Sequence, residues 1–289
     1  MYKAVVIIIS FGNKDLINGC VGSIRIGEST DIKLVIVEND INTDYNLELG
    51  EDVDVIYPRQ NIGYGPAFNI AWRKYNGQSD VFVISNSDIL FGYNVISSLI
   101  AELKGEADVG VIAPQLLNVD KSLQVTKAPL PTKWGYEKPK QDDVYLSGAL
   151  LVIKAELLEQ LDGFNELFKF YFEDTDLCRR ARYNGWSLKL ATDQTITHIG
   201  GASSRMTSKR LLYEYQYFKS GALYMLLHHG ANATKLYSIR FFISFLGRCI
   251  LRLLKLNFRE AKQLFKNAVG AAKLVVNGGK LDALITDRL

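Results

Sequence analysis

The chain has 289 residues, of which 48% are hydrophobic and 22% charged. These values are ordinary for a globular protein, and the length suits one large α/β domain plus an appendage. The three cysteines, Cys20, Cys178 and Cys249, are far apart in the sequence. This argues against a disulfide framework or a cysteine zinc site and favours reduced, cytosolic thiols. The net charge of +3 says little, because the basic residues are unevenly placed.

Strands and helices alternate through the first 90 residues. Apolar runs predict buried strands at 4–9, 33–37, 53–57 and 81–85, with helices at 15–26 and 66–75. The first run is too short for a signal peptide. The alternation predicts a doubly wound, mostly parallel sheet, in which ligands bind beyond the carboxyl ends of the strands. Polar residues cluster at those ends: Ser10, Glu38, Asn39, Asn61, Asn86 and Asp88.

The second half of the sequence is less regular. Residues 120–143 are rich in Lys, Pro and Asp and are predicted to form a loop or lid. A strand is predicted at 144–153, and helices at 155–161 and at about 175–183, where Asn184-Gly185 ends the pattern. From about residue 209 the pattern is wholly helical. We therefore predict a sheet domain over residues 1–208 and a helical region over residues 209–289.

The strongest local feature is an acidic cluster behind aromatic residues, in the segment GFNELFKFYFEDTDLCRR at 163–180. Glu173, Asp174 and Asp176 are costly to place near an apolar core unless a general base or a cation site uses them. Helix capping explains one of the three. Asp174 and Asp176 point different ways on a helix. We expect one of them to face a cleft and the other to cap the helix or to pair with Arg179 or Arg180.

Asn86-Ser87-Asp88 directly follows a predicted strand. A carboxylate in that position can hold a divalent cation together with phosphate oxygens, although all three residues also favour a plain turn. His198 follows the strand-like segment 187–196 and precedes a glycine pair. It is either a structural residue or a further ligand, since imidazole plus carboxylate suits Mn²⁺ or a similar ion.

The segment Asn61-x-Gly63-x-Gly65-Pro66 precedes a predicted helix. It is similar to a phosphate-cradling turn but matches neither the dinucleotide-binding fingerprint nor the P-loop. The alternative is a plain turn into a helix, with Pro66 in the first helical turn.

Basic residues form a stripe near the C-terminus. On a wheel of 3.6 residues per turn, seven of them fall within about a third of the circle: Arg240, Arg248, Arg252, Lys255, Arg259, Lys262 and Lys266. Bulky apolar residues lie on the other side. This predicts a helix lying on an anionic membrane surface, and the charges argue against a spanning helix. The alternative is an ordinary packed helix with a solvated basic face.

Taken in order, these motifs resemble the family 2 glycosyltransferases with a GT-A fold. The resemblance is strongest to the bacterial rhamnosyltransferase-like branch that builds O-antigen and capsule chains. It covers about residues 3–205, and its most specific part runs from residues 163–166 through Gly185-Trp186 to His198 and Ser203. It implies that Asp174 is the general base, that Asp88 binds metal and diphosphate, and that His198 adds a metal ligand.

The resemblance also implies a donor nucleotide-sugar site. Its further residues are Ser10, Glu38, Asn61, Gly63, Asn69, Asn86 and Glu173. The sequence departs from the family pattern at three places. Asn86 replaces the first acid of the Asp-x-Asp motif, which weakens the expected metal binding. Glu38 stands where Asp is usual, and Phe11-Gly12-Asn13 replaces a common Tyr-Asn.

The resulting prediction is an inverting, metal-dependent glycosyltransferase. It would move a sugar from a nucleoside diphosphate donor, a dTDP- or UDP-sugar with dTDP-rhamnose among the candidates, to a hydroxyl of a lipid-linked saccharide. Mn²⁺ or Mg²⁺ is the expected cofactor. The expected location is cytoplasmic and peripheral, on the inner face of the cell membrane. No nucleic-acid partner is expected, and homo-oligomers are left open.

Two other functions remain open at this point. A nucleotidyltransferase also uses a parallel sheet and a metal-held diphosphate, but Ser10-Phe11-Gly12-Asn13-Lys14 matches its glycine-rich, basic loop poorly. A catalytically silent module that binds sugar nucleotides or membranes is the second alternative. The intact Asp174 argues against it.

Overall fold

The structure is a computed structural model that describes residues 2–28, 31–41, 49–50, 52–132, 144–200 and 210–277. The chain divides into two compact units. The first contains residues 1–129, 141–169 and 173–203, and the second contains residues 130–140, 170–172 and 204–289. The predicted boundary at residues 208 and 209, Ser203, and part of the predicted lid lie outside the described residues.

The first unit is built on an eight-stranded sheet with the order β3-β2-β1-β4-β9-β6-β10-β5. All of its strands run in one direction except β9 and β5, which are antiparallel to their neighbours. The mostly parallel α/β fold predicted from the sequence is thereby confirmed. The eight strands are β1 (Ala4–Ser10), β2 (Ile32–Glu38), β3 (Val53–Ile56), β4 (Val81–Asn86), β5 (Ile89–Leu90), β6 (Val109–Leu117), β9 (Leu150–Lys154) and β10 (Ser187–His198).

Helices cover both faces of this sheet, which explains the continuous apolar runs of its central strands. Val6 and Ile8 of β1 pack into the core on one face, and Val5 and Ile7 pack into the core on the other. A separate two-stranded sheet pairs β7 (Lys127–Pro129) with β8 (Val144–Leu146). The helices of this unit are α1 (Lys14–Gly27), α2 (Tyr64–Tyr75), α3 (Val95–Gly105), α4 (Ala155–Leu161) and α5 (Glu173–Tyr183).

The segment predicted as one strand at 144–153 is two strands, β8 and β9. Between them the backbone N–H of Ser147 donates to the carbonyl of Thr126, and the N–H of Gly148 donates to the Asp174 side chain. These donors are therefore not available to a continuous ladder. Helix α3 and strand β6 were not predicted.

The second unit is helical. Helix α6 (Arg210–Leu254) is kinked at Gly230, where φ is +82°, and α7 (Phe258–Val276) packs along it. The Phe218 ring lies 5.1 Å from that of Phe241 and 6.0 Å from that of Phe245 (centroid to centroid), so aromatic packing joins the two halves of α6. Among the described helices, none combines the length and apolar character needed to cross a bilayer.

Residues 170–172 belong to this helical unit and explain the aromatic residues that precede the acidic cluster. The hydroxyl of Ser220 donates to the carbonyl of Phe170 at 2.7 Å. The Phe172 ring centroid lies 5.1 Å from that of Tyr217 and 5.6 Å from that of Tyr224. The aromatic residues thus pack against one face of α6.

The prediction that seven basic residues share one helical face is wrong. The chain turns between α6 and α7: Leu256 has a left-handed backbone with φ of +55°, and Asn257 caps α7 by accepting the N–H of Glu260. Arg240, Arg248 and Arg252 therefore lie on α6, Lys255 lies in the turn, and the other three lie on α7. Two of them are also paired with acids, Arg248 with Glu214 at 2.8 Å and Arg252 with Glu260 at 2.9 Å.

Candidate active site

The carboxyl ends of β1, β2 and β4 place three of the predicted site residues side by side. Ser10 pairs in register with Glu38, and Ile9 pairs with Asn86. The hydroxyl oxygen of Ser10 is buried and has no hydrogen-bond partner within the described residues. A buried hydroxyl in that condition has capacity left for a ligand.

Glu38 holds two loops together at this edge. Its Oε1 accepts the backbone N–H of Gly12 at 3.0 Å and that of Asp40 at 2.9 Å. The side chain is fully buried. Burial and the charge of Glu38 raise the pKa of Tyr57, whose ring is 50% exposed. Phe11, next to Gly12 in the chain, is 54% exposed. Two exposed aromatic side chains therefore accompany the predicted base-binding position.

The segment from Asn61 to Gly63 is fixed by hydrogen bonds. The Asn39 side chain donates to the carbonyl of Gly63 at 2.9 Å and accepts the N–H of Ile62 at 3.2 Å. Asn61 accepts the N–H of Gly63 at 3.0 Å. Gly63 has φ of +97°, and a Cβ there would lie 2.3 Å from the Lys169 carbonyl oxygen, so only glycine fits. Helix α2 follows this turn directly.

Asn69, which is predicted to lie near the donor nucleotide, makes its hydrogen bonds within the protein. It is fully buried in α2. Its amide nitrogen donates to the carbonyl of Phe164 and to Glu166, and its oxygen accepts the N–H of Phe164 at 2.9 Å. The side chain is thus occupied in holding the loop at 163–166. We assign it to positioning that loop.

Asp88 and His198 meet because β5 pairs with β10, which places His198 opposite Ile89. Asp88 Oδ1 lies 3.3 Å from His198 Nε2, and the Asn86 amide nitrogen lies 3.3 Å from the same ring atom. The other ring nitrogen, Nδ1, is 2.8 Å from Gln124 Oε1. Gln124 donates through its amide to the carbonyl of His198. Gln124 thus holds Nδ1 of the ring, and Nε2 faces Asp88 and Asn86.

These donors fit a divalent cation that is shared with a ligand. One carboxylate and one neutral imidazole nitrogen suit Mn²⁺, and Mg²⁺ is commonly held by one or two carboxylates plus phosphate oxygens. Within the described ranges, no group of three or more His, Cys, Asp or Glu side chains is arranged so that it could hold a metal ion by itself. The chain therefore offers two ligands here, and phosphate oxygens would have to supply others.

Asp174 lies in the first turn of α5 and is held by three hydrogen bonds. Its Oδ2 accepts the N–H of Gly148 at 2.8 Å. Its Oδ1 accepts the N–H of Thr175 at 2.6 Å and the Thr175 hydroxyl at 3.1 Å. Burial raises the pKa of Asp174, while these hydrogen bonds oppose the rise. The result is a fixed carboxylate that is more basic than an exposed aspartate.

Glu173 lies next to Asp174 in the chain and differs from it in protonation. Burial and the charge of Asp174 raise the pKa of Glu173 to about 8. Its Oε2 is buried and has no hydrogen-bond partner in the described part of the chain. At neutral pH Glu173 is therefore mainly protonated, and Asp174 is the member of the pair that is available as a base.

Tyr64 connects the acidic pair with the Asp88 cluster. Its hydroxyl donates to the carbonyl of Gly148 at 2.7 Å. Its pKa is raised well above the ordinary value by burial and by the charges of Glu173, Asp174 and Asp88. Gly148 thus links the Tyr64 hydroxyl to the Asp174 carboxylate.

Asp176 has a structural role. It pairs with Arg180, which is one of the alternatives expected for the acidic cluster. Its Oδ2 accepts Arg180 Nε at 2.7 Å, and its side chain is almost fully buried. Arg180 also donates to the carbonyls of Leu161 and Gly163. The pair therefore ties α5 to the loop that begins at Gly163.

Three residues of this site had no recognised role in the sequence. Gln124 orients His198. It lies in the segment predicted as a lid, where no sequence pattern indicates this role. Gly148 falls inside the strand predicted at 144–153, and a Cβ there would lie 3.0 Å from that of Asp174. Tyr64 was read as part of a glycine-rich turn. The signal for Asn39 was present, since it stands with the other polar residues at the strand ends.

A family profile and two curated proteins match this sequence. The sequence profile of "Glycosyl transferase family 2" matches residues 5–162, more than half of the chain. Two curated proteins from Mycobacterium tuberculosis strains, each named "N-acetylglucosaminyl-diphospho-decaprenol L-rhamnosyltransferase", are 22% identical over 185 residues. That alignment covers 52% of this chain and 60% of each relative.

Two solved structures are similar in fold. One is the mannosyltransferase PcManGT from Pyrobaculum calidifontis in complex with GDP-Man and Mn²⁺, with a TM-score of 0.57 and 14% identity over 97% of this chain and 80% of that one. The other is S. aureus TarS 1–349, with a TM-score of 0.57 and 19% identity over 98% of this chain and 83% of that one. At these identities the likeness concerns the fold alone. The profile match and the GT-A architecture together show that the chain belongs to glycosyltransferase family 2.

Proposed function

We propose that this protein transfers a sugar from a nucleoside diphosphate donor to a hydroxyl of a lipid-linked saccharide, with inversion at the anomeric carbon. The observation that carries the proposal is the presence, in one sheet unit, of the Asp174 carboxylate fixed by Gly148 and Thr175 and of the Asp88–His198 pair, whose Oδ1 and Nε2 lie 3.3 Å apart. It combines a raised-pKa carboxylate, suited to a base, with a carboxylate–imidazole pair, suited to a cation and a diphosphate.

The donor would lie along the carboxyl edge of the sheet. Its base would be bound near Ser10 and Glu38, with the exposed rings of Phe11 and Tyr57 available for stacking. Its diphosphate would lie at Asp88 and His198. When bound there, Mn²⁺ or Mg²⁺ would supply positive charge that stabilises the leaving diphosphate. Asn61 and Gly63 would form the turn beside the nucleotide, and Asn86 would lie next to the diphosphate.

Asp174 would act as the general base. It would accept the proton of the acceptor hydroxyl as that oxygen forms a bond to the anomeric carbon and the bond from this carbon to the diphosphate breaks. The hydrogen bonds from Gly148 and Thr175 would keep the carboxylate oriented for this transfer. Glu173, protonated and beside it, would add no second negative charge at neutral pH.

The relatives, and not the site geometry, support the proposed identity of the substrates. The curated relatives are named for L-rhamnosyl transfer to a diphospho-decaprenol carrier, so a dTDP-rhamnose donor and a polyprenyl-linked acceptor are the first choice. A UDP-sugar is the second. Such acceptors would place the enzyme on the cytoplasmic face of the membrane, in the synthesis of O-antigen, capsule or a related surface polysaccharide.

A donor screen tests the proposal. Thermal unfolding should be measured with dTDP- and UDP-sugars, with and without Mn²⁺, because a ligand stabilises the folded state according to its concentration relative to its Kd. The best donor should then be incubated with a polyprenyl-diphosphate saccharide. Release of nucleoside diphosphate with a glycosylated acceptor supports the proposal. Formation of nucleoside triphosphate and sugar 1-phosphate when pyrophosphate is added to the donor would indicate a nucleotidyltransferase. Binding without turnover would indicate a silent module.

A further inference from the structure

Helix α7 has an apolar stripe on its exposed side. Its buried side chains, including Ala261, Leu264 and Ala271, lie on the side that packs against the rest of the helical unit. Four apolar side chains on the other side are between 40% and 83% exposed: Phe258, Phe265, Val269 and Val276. At about 100° per residue they fall within an arc of about 40°. The helix therefore has two apolar sides, and only one of them is covered by the described structure.

The second half of α6 continues this surface. Ile239, Ile243, Ile250 and Leu254 are between 39% and 76% exposed and fall within about 60° of the helical wheel. A groove of about 380 Å³ joins the two helices, lined by side chains that include Phe242 and Leu246 of α6 and Phe265 and Val276 of α7. Leu256, in the turn between the helices, is 74% exposed. Contiguous apolar surface on this scale marks an interaction site.

A row of cations borders the apolar stripe of α7. It consists of Arg259, Lys262, Lys266 and Lys273. These four side chains fall within about 60° of one another, immediately beside the stripe. In contrast to Arg248 and Arg252, none of them forms an ion pair with another described residue. Their charge is therefore available to an anionic partner.

We infer that the α6–α7 hairpin lies flat on an anionic bilayer, with its apolar face among the upper acyl chains and the cation row at the level of the lipid phosphates. This surface, which we call the hairpin face, consists of the four apolar residues of α7, the four of α6, Leu256 and the four cations. Apolar residues beside unpaired basic residues match an interfacial membrane helix. This differs from the single basic stripe expected from the sequence, because the apolar residues now define the contacting surface.

Charge favours lipid over a second copy of the chain. In a two-fold symmetric dimer the same surface meets itself. Two rows of four unpaired cations would then border one interface, which repels unless acids intervene. An anionic headgroup layer instead complements every cation in the row. The inference rests on the proposed function only for its purpose, which is access to a lipid-linked acceptor, and vesicle binding itself requires no turnover.

The test measures cosedimentation of the full chain with vesicles of phosphatidylglycerol and phosphatidylcholine, or of phosphatidylcholine alone. We expect binding to the anionic vesicles to be at least tenfold stronger and to weaken at high salt. Two variants should each lower it at least tenfold: Phe265→Gln with Val276→Gln, and Lys262→Glu with Lys266→Glu. A charge-matched control in the sheet unit, Lys121→Glu with Lys127→Glu, should bind as the wild type does.

Folding and donor binding are followed separately by thermal unfolding with and without nucleoside diphosphate, so that failure of the hairpin face is distinguishable from failure of the active site. Wild-type protein that ignores anionic vesicles overturns the inference. Two further results would also overturn it. In one, the Gln variant changes a dimer to a monomer in sedimentation velocity without changing vesicle binding, which makes the face an interface between copies. In the other, vesicles bind only a chain that ends at Asn277, which makes residues 278–289 the occupant of the face.

Discussion

The backbone N–H of Gly148 donates a 2.8 Å hydrogen bond to Oδ2 of Asp174, joining the connection between β8 and β9 to the first turn of α5. Thr175 binds the other carboxylate oxygen. Asp174 is therefore oriented from two elements that are distant in sequence. Burial raises its pKa while these bonds prevent a larger rise. A base needs this combination of a defined position and a retained charge.

Replacing Asp174 with Asn should lower the rate of sugar transfer about 10²-fold or more, the usual scale for a positioned base. Nucleoside diphosphate affinity should stay within about twofold in calorimetry, since the diphosphate is expected at Asp88 and His198. Glu156→Gln, which changes an exposed acid in the first turn of α4, serves as the matched control. Turnover of the Asn variant near the wild-type rate on the true acceptor would show that Asp174 is not the base.

Replacing Thr175 with Val should shift the pH dependence of transfer. The Thr175 hydroxyl lowers the pKa of Asp174, so its removal should raise that pKa further. Because the base must be ionised, the acid limb of the rate against pH should move to higher pH, with little change in the plateau rate. Donor affinity, measured across the same pH range, should not follow this shift. If the acid limb does not move, Asp174 is not the group whose ionisation controls the rate of transfer.

Glu173→Gln should stabilise the protein above neutral pH. The pKa of Glu173 is raised from 4.5 to about 8, so between these values the unfolded chain releases a proton that the folded protein keeps. Wild-type stability therefore falls as the pH rises through this window, and the Gln variant lacks this loss. The gain in Tm should grow from pH 5 to pH 8 and then level off. A gain that does not vary with pH would contradict the assignment of a buried, neutral Glu173.

The central strands could be predicted because helices cover both faces of the sheet. Strands buried on both faces read as unbroken apolar runs, as at 4–9 and 81–85, and the polar residues at their ends mark the site edge. Strand β6 lacked this signal because Gly110 and Pro114 interrupt it. Gly110 is required by packing, since a Cβ there would lie 2.9 Å from the Leu157 side chain.

The sequence was least informative where the three-dimensional path of the chain decides which side chains meet. Asn69 matched a segment that the family resemblance places near the nucleotide, but α2 directs it at Phe164 and Glu166. Gln124 gains its role only when β10 pairs with β6, which places Thr197 opposite Leu117, and no local pattern reveals this pairing. The prediction of a single basic face was wrong, although the sequence contains a sign that the helix is interrupted. Asn257 and Glu260 form the N-cap pattern of a new helix.

The proposed cation site can be tested by substituting Gln124, which orients His198, as well as the proposed ligand Asp88. Asp88→Ala should abolish the gain in nucleoside diphosphate affinity that Mn²⁺ provides, because a carboxylate ligand is lost. Gln124→Ala should reduce that gain about 10-fold or more, the usual scale for residues that orient a ligating histidine. In both variants the affinity without Mn²⁺ should stay near that of the wild type, which a general structural defect would not allow.

Asp120→Ala provides the matched control, since Asp120 is exposed and bonds only locally to Ser122. It should retain the full effect of Mn²⁺. Calorimetric titrations of the diphosphate with Mn²⁺, with Mg²⁺ and with chelator distinguish the outcomes. If Mn²⁺ enhances binding equally in all four proteins, Asp88 and His198 do not hold the ion. If it enhances binding in none of them, including the wild type, Asn86 in place of the usual acid has removed the metal requirement, and the charge on the leaving diphosphate must be stabilised by other residues.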